Sequence, residues 1–382
     1  MKTRASVRQL ADDGTKVKTI FQSVGEPSGD EHIAPVVERL VGMSQGLGVR
    51  GFGGALSKDA GAQLDVATSD LAAIGFSHLL TSIPTHLRLY REAKALFALG
   101  EIHLALLVDY PGFNLKLGRA ARRLNVPVLF FVAPQIWAWG GWRVKAFKDS
   151  VDRVAAILPF EVEFFKKHGV DVTYVGHPSL DKKPPDKSSA RRRLKLQDDD
   201  TVVAFFPGSR NSETKRHWPI FTKTFFRLKN DVPNLRLVVA MREGGPYSVN
   251  GIDVIMSERS DDVMAAADVA VCKSGTTTLN AALAAVPFVT VYKTDPYSYR
   301  IARSLAQVPH ISLPNLLLGR SVVPELIQGE MTPETLVRQV TSLLENGEKR
   351  RVQVEAFEEI RSLLGPPGVA ERVTDMALEM IS

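Results

Sequence analysis

Short apolar runs alternate with stretches of helical period along most of the chain. Residues 18–24, 49–52, 104–108, 126–132, 154–158 and 172–175 are rich in Val, Ile, Leu and Phe, as strands covered on both faces of a parallel sheet must be. Between them Ile33, Val36, Val37 and Leu40 recur at helical spacing, and a longer helical stretch is expected near 79–99. A second series of apolar runs occupies 202–206, 235–240, 251–256, 269–272 and 288–292. Its first run leads into a helix carrying Trp218, Phe221, Phe225 and Phe226, its fourth into one carrying Leu279, Ala282, Leu283 and Ala285. Strand–helix alternation repeated in this way predicts an α/β chain of two Rossmann-like domains. The stretch 182–189, KKPPDKSS, reads as an exposed linker, which divides 1–185 from 186–365.

Composition supports two packed cores. The 382 residues exceed what one core normally sustains, and 45% hydrophobic with 24% charged residues is ordinary for a globular protein. One cysteine, Cys272, cannot form an internal disulfide, which fits a reducing compartment. No apolar run reaches the roughly 18 residues of a spanning helix, and the basic start of the chain lacks the apolar centre of a secretory signal. The expected location is therefore cytoplasmic, with a flexible N-terminus. A net charge of +6 favours anionic partners. The basic residues are scattered apart from Lys116, Arg119, Arg122 and Arg123 and the run Arg191-Arg192-Arg193, and no zinc-finger or RNP-like motif accompanies them, so nucleic acid is not the expected partner.

Candidate chemistry sits where apolar runs end. The run 269–272 enters Lys273-Ser274-Gly275-Thr276 and then a helix, while 202–206 enters Pro207-Gly208-Ser209-Arg210 and another helix. Small residues opening a helix present free backbone N–H groups and the positive end of its dipole, and an arginine fork suits phosphate oxygens. Two such turns suggest one diphosphate site; the bland alternative is a pair of ordinary capped turns. In open α/β sheets ligands lie beyond the carboxyl ends of strands, which singles out Asp109 and His177. Asp109 is either a base or a helix cap, and His177 either a second candidate base or a turn former.

Taken in order, GEPSGD (25–30), DYPGFN (109–114), APQIWAW (133–139), LPFE (158–161), GHP (176–178), PGSR (207–210), SGT (274–276) and SLPNLLLGR (312–320) resemble lipid-A-disaccharide synthases across nearly the whole chain. The resemblance implies a GT-B glycosyltransferase fold: two Rossmann-like domains facing across a cleft, with a C-terminal helix of about 366–382 crossing back to the first. It implies transfer from UDP-2,3-diacylglucosamine to 2,3-diacylglucosamine 1-phosphate, giving a β-1,6 disaccharide and UDP, without a bound metal or cofactor. Asp109 maps to the favoured base. Gly208, Ser209, Arg210, Ser274, Gly275, Thr276 and Asn280 map to the UDP side, and Glu26, Ser28, Gly29, Asp30, Asn114, Asn315 and Arg320 to the acceptor side.

Two positions depart from the family pattern. Gly112 stands where many relatives have a second aspartate, and Asn280 where many have a glutamate suited to the ribose hydroxyls. Trp137 and Trp139 are expected to pack rather than stack on substrate. Phe76, Leu79, Leu80, Ile83, Leu87 and Tyr90 keep helical spacing beside Arg88, Arg91 and Lys94, a pattern that suits either a core stripe or peripheral attachment to the anionic inner-membrane surface. Two other readings share parts of this pattern: another GT-B UDP-sugar transferase or UDP-sugar 2-epimerase, and a non-catalytic binder of anionic lipid or nucleic acid.

Overall fold

The computed structural model describes residues 18–43, 47–67, 79–241, 245, 247, 249, 251, 253–345 and 347–382, the side chains of 67, 79–83 and 139 apart. The chain separates into two compact units, Met1–Asp181 with Pro366–Ser382, and Lys182–Gly365.

The first unit is built on strands β1 (Lys18–Val24), β2 (Leu47–Gly53), β3 (Gln63–Ala67), β4 (Leu104–Val108), β5 (Val128–Phe131), β6 (Arg153–Ala156) and β7 (Val172–Tyr174). They pair in the order β3-β2-β1-β4-β5-β6-β7, every pair parallel. The order reverses between β1 and β4. The second unit holds β8 (Thr201–Phe206), β9 (Leu235–Ala240), β10 (Val254–Ser257), β11 (Val269–Lys273), β12 (Phe288–Tyr292) and β13 (Glu325–Ile327), ordered β10-β9-β8-β11-β12-β13 and again all parallel. Its reversal falls between β8 and β11. Both sheets are thus doubly wound, the expected Rossmann-like architecture.

Central strands are apolar because helices cover both their faces. In β1, Phe21 meets Phe52 and Phe97 edge-on with ring centres 5.2 Å apart in both pairs; in the second unit Phe205 takes Phe221 and Phe225 the same way. Helix Val369–Ile381 completes the first unit, burying Val369, Val373, Met376 and Ala377. Asp181 caps its start, accepting from the Gly368 and Ala370 amides at 2.6 and 3.2 Å, and Arg372 donates to the Val175 carbonyl at 2.8 Å.

Several expected boundaries shift for identifiable reasons. Strand β6 stops at Ala156 because the Glu161 carboxylate accepts from the Ile157 and Leu158 amides. The stretch 182–189 is extended only as far as Asp186, whose carboxylate accepts from the Ser189 amide at 3.0 Å and starts helix Lys187–Arg193. Ala285 lies past its helix, at φ 54°, and Phe226 is 47% exposed. Among the described side chains of helix Leu79–Ala98, Leu89, Ala93 and Phe97 are buried, three positions outside the stripe read from the sequence. Of that stripe, Leu87 is 48% exposed and Tyr90 packs against the core; Phe76 lies outside the described residues, as do residues 1–17 and the side chains of Leu79, Leu80, Ile83 and Trp139.

Candidate functional site

In the first unit the GEPSGD and DYPGFN turns follow β1 and β4, the two strands at which the sheet order reverses. Asp109 and Tyr110 are both left-handed, at φ 46° and 51°, a conformation costing an L-residue about 1–2 kcal/mol. The helix that follows, Pro111–Arg123, has Tyr110 at its N-cap position, so Asp109 is not its cap. What holds the turn is Asn114. Its amide is fully buried and donates to the carbonyls of Asp109 (2.8 Å), Val108 (3.1 Å) and Ser23 (3.1 Å), while its oxygen accepts from the Ser23 hydroxyl at 2.7 Å. With both ends of that amide committed, Asn114 joins β1 to β4 and fixes Asp109; it does not face a ligand.

Tyr110 locks the two turns together from the other side. A Cβ on Gly25 would stand 2.2 Å from its ring, so only glycine lets the ring settle there. Its hydroxyl meets His86 Nε2 at 2.6 Å; burial, then the Glu26 charge, raises its pKa. Gly29 likewise lets its helix approach, its added Cβ lying 3.0 Å from Val24. Asp30 is scaffold as well, since its buried carboxylate accepts from the amides of Gly54, Leu56 and Ser57 and from the Ser57 hydroxyl. Glu26 is half-buried, Ser28 is exposed and Asp109 is half-buried at the strand end. Gly112 has open space around it, so nothing in the fold excludes a larger residue.

His177 is 2% exposed and its Nδ1 accepts from the Ser179 amide at 3.1 Å. The neutral ring therefore carries its proton on Nε2, which donates rather than accepts. Nearby, Trp137 is packed against Phe160 and donates to Glu161 at 3.1 Å. Burial pushes the Glu161 carboxyl from an ordinary 4.5 up to about 7, opposed by the Leu158, Trp137 and Ile157 hydrogen bonds. Because the folded chain binds this proton more tightly, the associated stability is complete below about pH 4.5 and is lost as the pH rises through about 7. We expect Glu161→Gln to flatten the unfolding free energy across that window by on the order of 1–3 kcal/mol. Urea melts at pH 5 and pH 8 measure it, and an equal pH slope in both proteins would refute the assignment.

In the second unit PGSR follows β8 and KSGT follows β11, again the pair at the order reversal. Gly208 sits at φ 116°, where a Cβ would be 2.6 Å from the Glu213 carboxylate. Ser209 and Arg210 are exposed beyond it, at the start of helix Asn211–Asp231. Gly275, at φ 147°, and Thr276 are exposed at the start of helix Thr276–Leu283, with Asn280 half-buried one turn on. Ser274 serves the fold, its hydroxyl donating to the Ile311 carbonyl at 2.7 Å.

Three residues without an assigned role tie these turns together. Lys273 pairs with Glu213 at 2.9 Å, joining the end of β11 to the PGSR helix. His217, fully buried, meets the Pro207 carbonyl at 2.7 Å and accepts from the Lys293 amide at 3.1 Å, joining β8 to β12. Burial lowers its pKa and keeps the ring neutral. Asn315 and Arg320 belong to this unit and not to the acceptor-side turns. Asn315 is fully buried, donating to the Val323 carbonyl and Glu325 and accepting from the Val322 and Val323 amides, and Arg320 pairs with Glu359 on the surface. Among the described residues no three His, Cys, Asp or Glu side chains converge.

Residues 20–372 match the family model described as lipid-A-disaccharide synthetase. A lipid-A-disaccharide synthase of Syntrophus aciditrophicus is 35% identical over 376 residues, covering 95% of this chain and 98% of the relative. One of Myxococcus xanthus is 37% identical over 377 residues, covering 96% and 98%. Among solved structures, the glycotransferase of kitacinnamycin superposes with a TM-score of 0.65 at 13% identity, covering 96% of this chain and all of that one. The S. aureus MnaA–UDP co-structure gives 0.64 at 14% identity, covering 94% and 95%. At such identities these likenesses speak for the fold alone, two Rossmann-like units of the GT-B class.

Proposed function

The chain belongs to the lipid-A-disaccharide synthase family of glycosyltransferases, and from that premise we propose that it joins UDP-2,3-diacylglucosamine to 2,3-diacylglucosamine 1-phosphate with inversion. The observation that carries this reading is the placement of two pairs of turns, one carrying Glu26 and Asp109 and the other Gly208, Arg210 and Gly275, each at the order reversal of its own sheet. Asp109 takes the proton of the acceptor 6-hydroxyl as that oxygen attacks the anomeric carbon. The bond to UDP breaks on the opposite face, and its charge is taken up by the Arg210 guanidinium, the Gly275 turn and the N–H ends of helices Asn211–Asp231 and Thr276–Leu283.

His177 is the weaker base because its accepting nitrogen is already used by Ser179. Asn280 takes the ribose-side position without charge assistance. Neither a metal nor a cofactor enters this scheme.

Inversion is tested by the product. Proton couplings at the new glycosidic carbon should show a β linkage; an α linkage would remove the single-displacement mechanism. A UDP-sugar 2-epimerase would instead return a UDP-sugar altered at C2 and need no acceptor.

Acylated substrates would also suit a peripheral protein at the cytoplasmic, anionic face of the inner membrane. Exposed Leu87, Arg88, Arg91 and Lys94 on helix Leu79–Ala98 support that reading, and no helix of the described residues is long and apolar enough to cross a membrane. Equal recovery of the chain on phosphatidylglycerol and phosphatidylcholine vesicles would count against it.

A further inference from the structure

Helix Pro296–Leu305 begins four residues after β12, at the carboxyl edge of the sheet that carries PGSR and KSGT. Not one of its residues is buried. Tyr297, Ile301 and Leu305 stand one turn apart on a single face and are 77%, 60% and 48% exposed. Helix Pro333–Leu344, of similar length, puts Leu336, Val340 and Leu343 fully into the core. An isolated helix of about ten residues is marginal in water and normally depends on burying its apolar face. Here the helix is capped at its start, where Asp295 accepts from the Ser298 amide at 2.8 Å, and braced within itself, where Arg303 donates to the Tyr299 hydroxyl at 3.2 Å.

We propose that this helix is an interfacial anchor that lays its Tyr297, Ile301 and Leu305 face onto an anionic lipid bilayer. The spacing fits a helix lying in the membrane plane, with a tyrosine able to place its ring among acyl chains and its hydroxyl among headgroups. Charge selects the occupant. The only charged residues between Pro296 and Leu305 are Arg300 and Arg303, which lie to one side of the stripe. A second copy pairing this helix with its own counterpart about a two-fold axis would gather four arginines, whereas anionic headgroups attract them. The anchor lies on the second unit, separate from helix Leu79–Ala98 of the first, and does not depend on which sugar is transferred.

The test uses the full chain with vesicles of phosphatidylglycerol mixed into phosphatidylcholine, and of phosphatidylcholine alone. The triple variant Tyr297→Ser, Ile301→Ser, Leu305→Ser should lose about tenfold or more of its partitioning onto the anionic vesicles, with Tm and calorimetric UDP affinity unchanged. Arg300→Glu with Arg303→Glu should lose roughly tenfold on anionic vesicles, and this loss should shrink at high salt. Parent-like partitioning of both variants would overturn the proposal. So would a lowered Tm of the triple variant, which would mean that the face packs on protein. A parent dimer that this variant dissociates with vesicle binding unchanged would assign the stripe to a contact between copies instead.

Discussion

Asp109→Asn is expected to lower turnover by about 100-fold or more, while the Tm and the affinity for UDP stay at parent values. The carboxylate stands half-buried on a left-handed residue beyond β4. The carbonyl of that residue is held by Asn114 and its amide by the Phe131 carbonyl at 3.2 Å. Those anchors are main-chain atoms, so an isosteric amide leaves them intact while removing the proton acceptor. The acidic limb of the rate profile should vanish with it. Near-normal turnover of Asp109→Asn together with loss in His177→Asn would transfer the base to His177.

Arg210→Ala should weaken UDP binding by roughly 10- to 150-fold, the equivalent of about 1.5–3 kcal/mol for charge-assisted contacts. The guanidinium lies on the exposed side of a turn whose opposite side is braced: Gly208 against Glu213, Glu213 against Lys273, and Pro207 against His217. Truncating Arg210 therefore leaves that brace standing, and the loss should appear in affinity without a change in Tm. Calorimetry of UDP binding decides it; an unchanged dissociation constant would take Arg210 out of the nucleotide site.

The two sheets were legible because strands buried on both faces are nearly uniform apolar runs, and strand–helix alternation restricts their connection to parallel, doubly wound order. The site was legible as turns but not as individual roles. Asn114, Asp30 and Asn315 are polar residues inside motifs and read as ligand-facing, yet each is a buried clamp on backbone groups. Nothing in local spacing separates a side chain that binds a carbonyl from one that binds a sugar. Glu161 and Glu213 did leave a signal, a glutamate three residues after the N-cap position of a helix, the spacing that returns a carboxylate to free amides. His217 left none, because it joins Pro207 to Lys293, 76 residues further along the chain than the histidine itself. The left-handed pair Asp109-Tyr110 was equally hidden: aspartate tolerates that conformation but tyrosine does not favour it, and the pair is held by Asn114 and the Gly25 contact.

Release of UDP from UDP-2,3-diacylglucosamine, followed with and without 2,3-diacylglucosamine 1-phosphate, tests the central assignment most directly. UDP should appear only when the acceptor is present and in equal amount to the disaccharide formed. UDP released at the same rate without the acceptor, or donor consumed with no disaccharide, would contradict it.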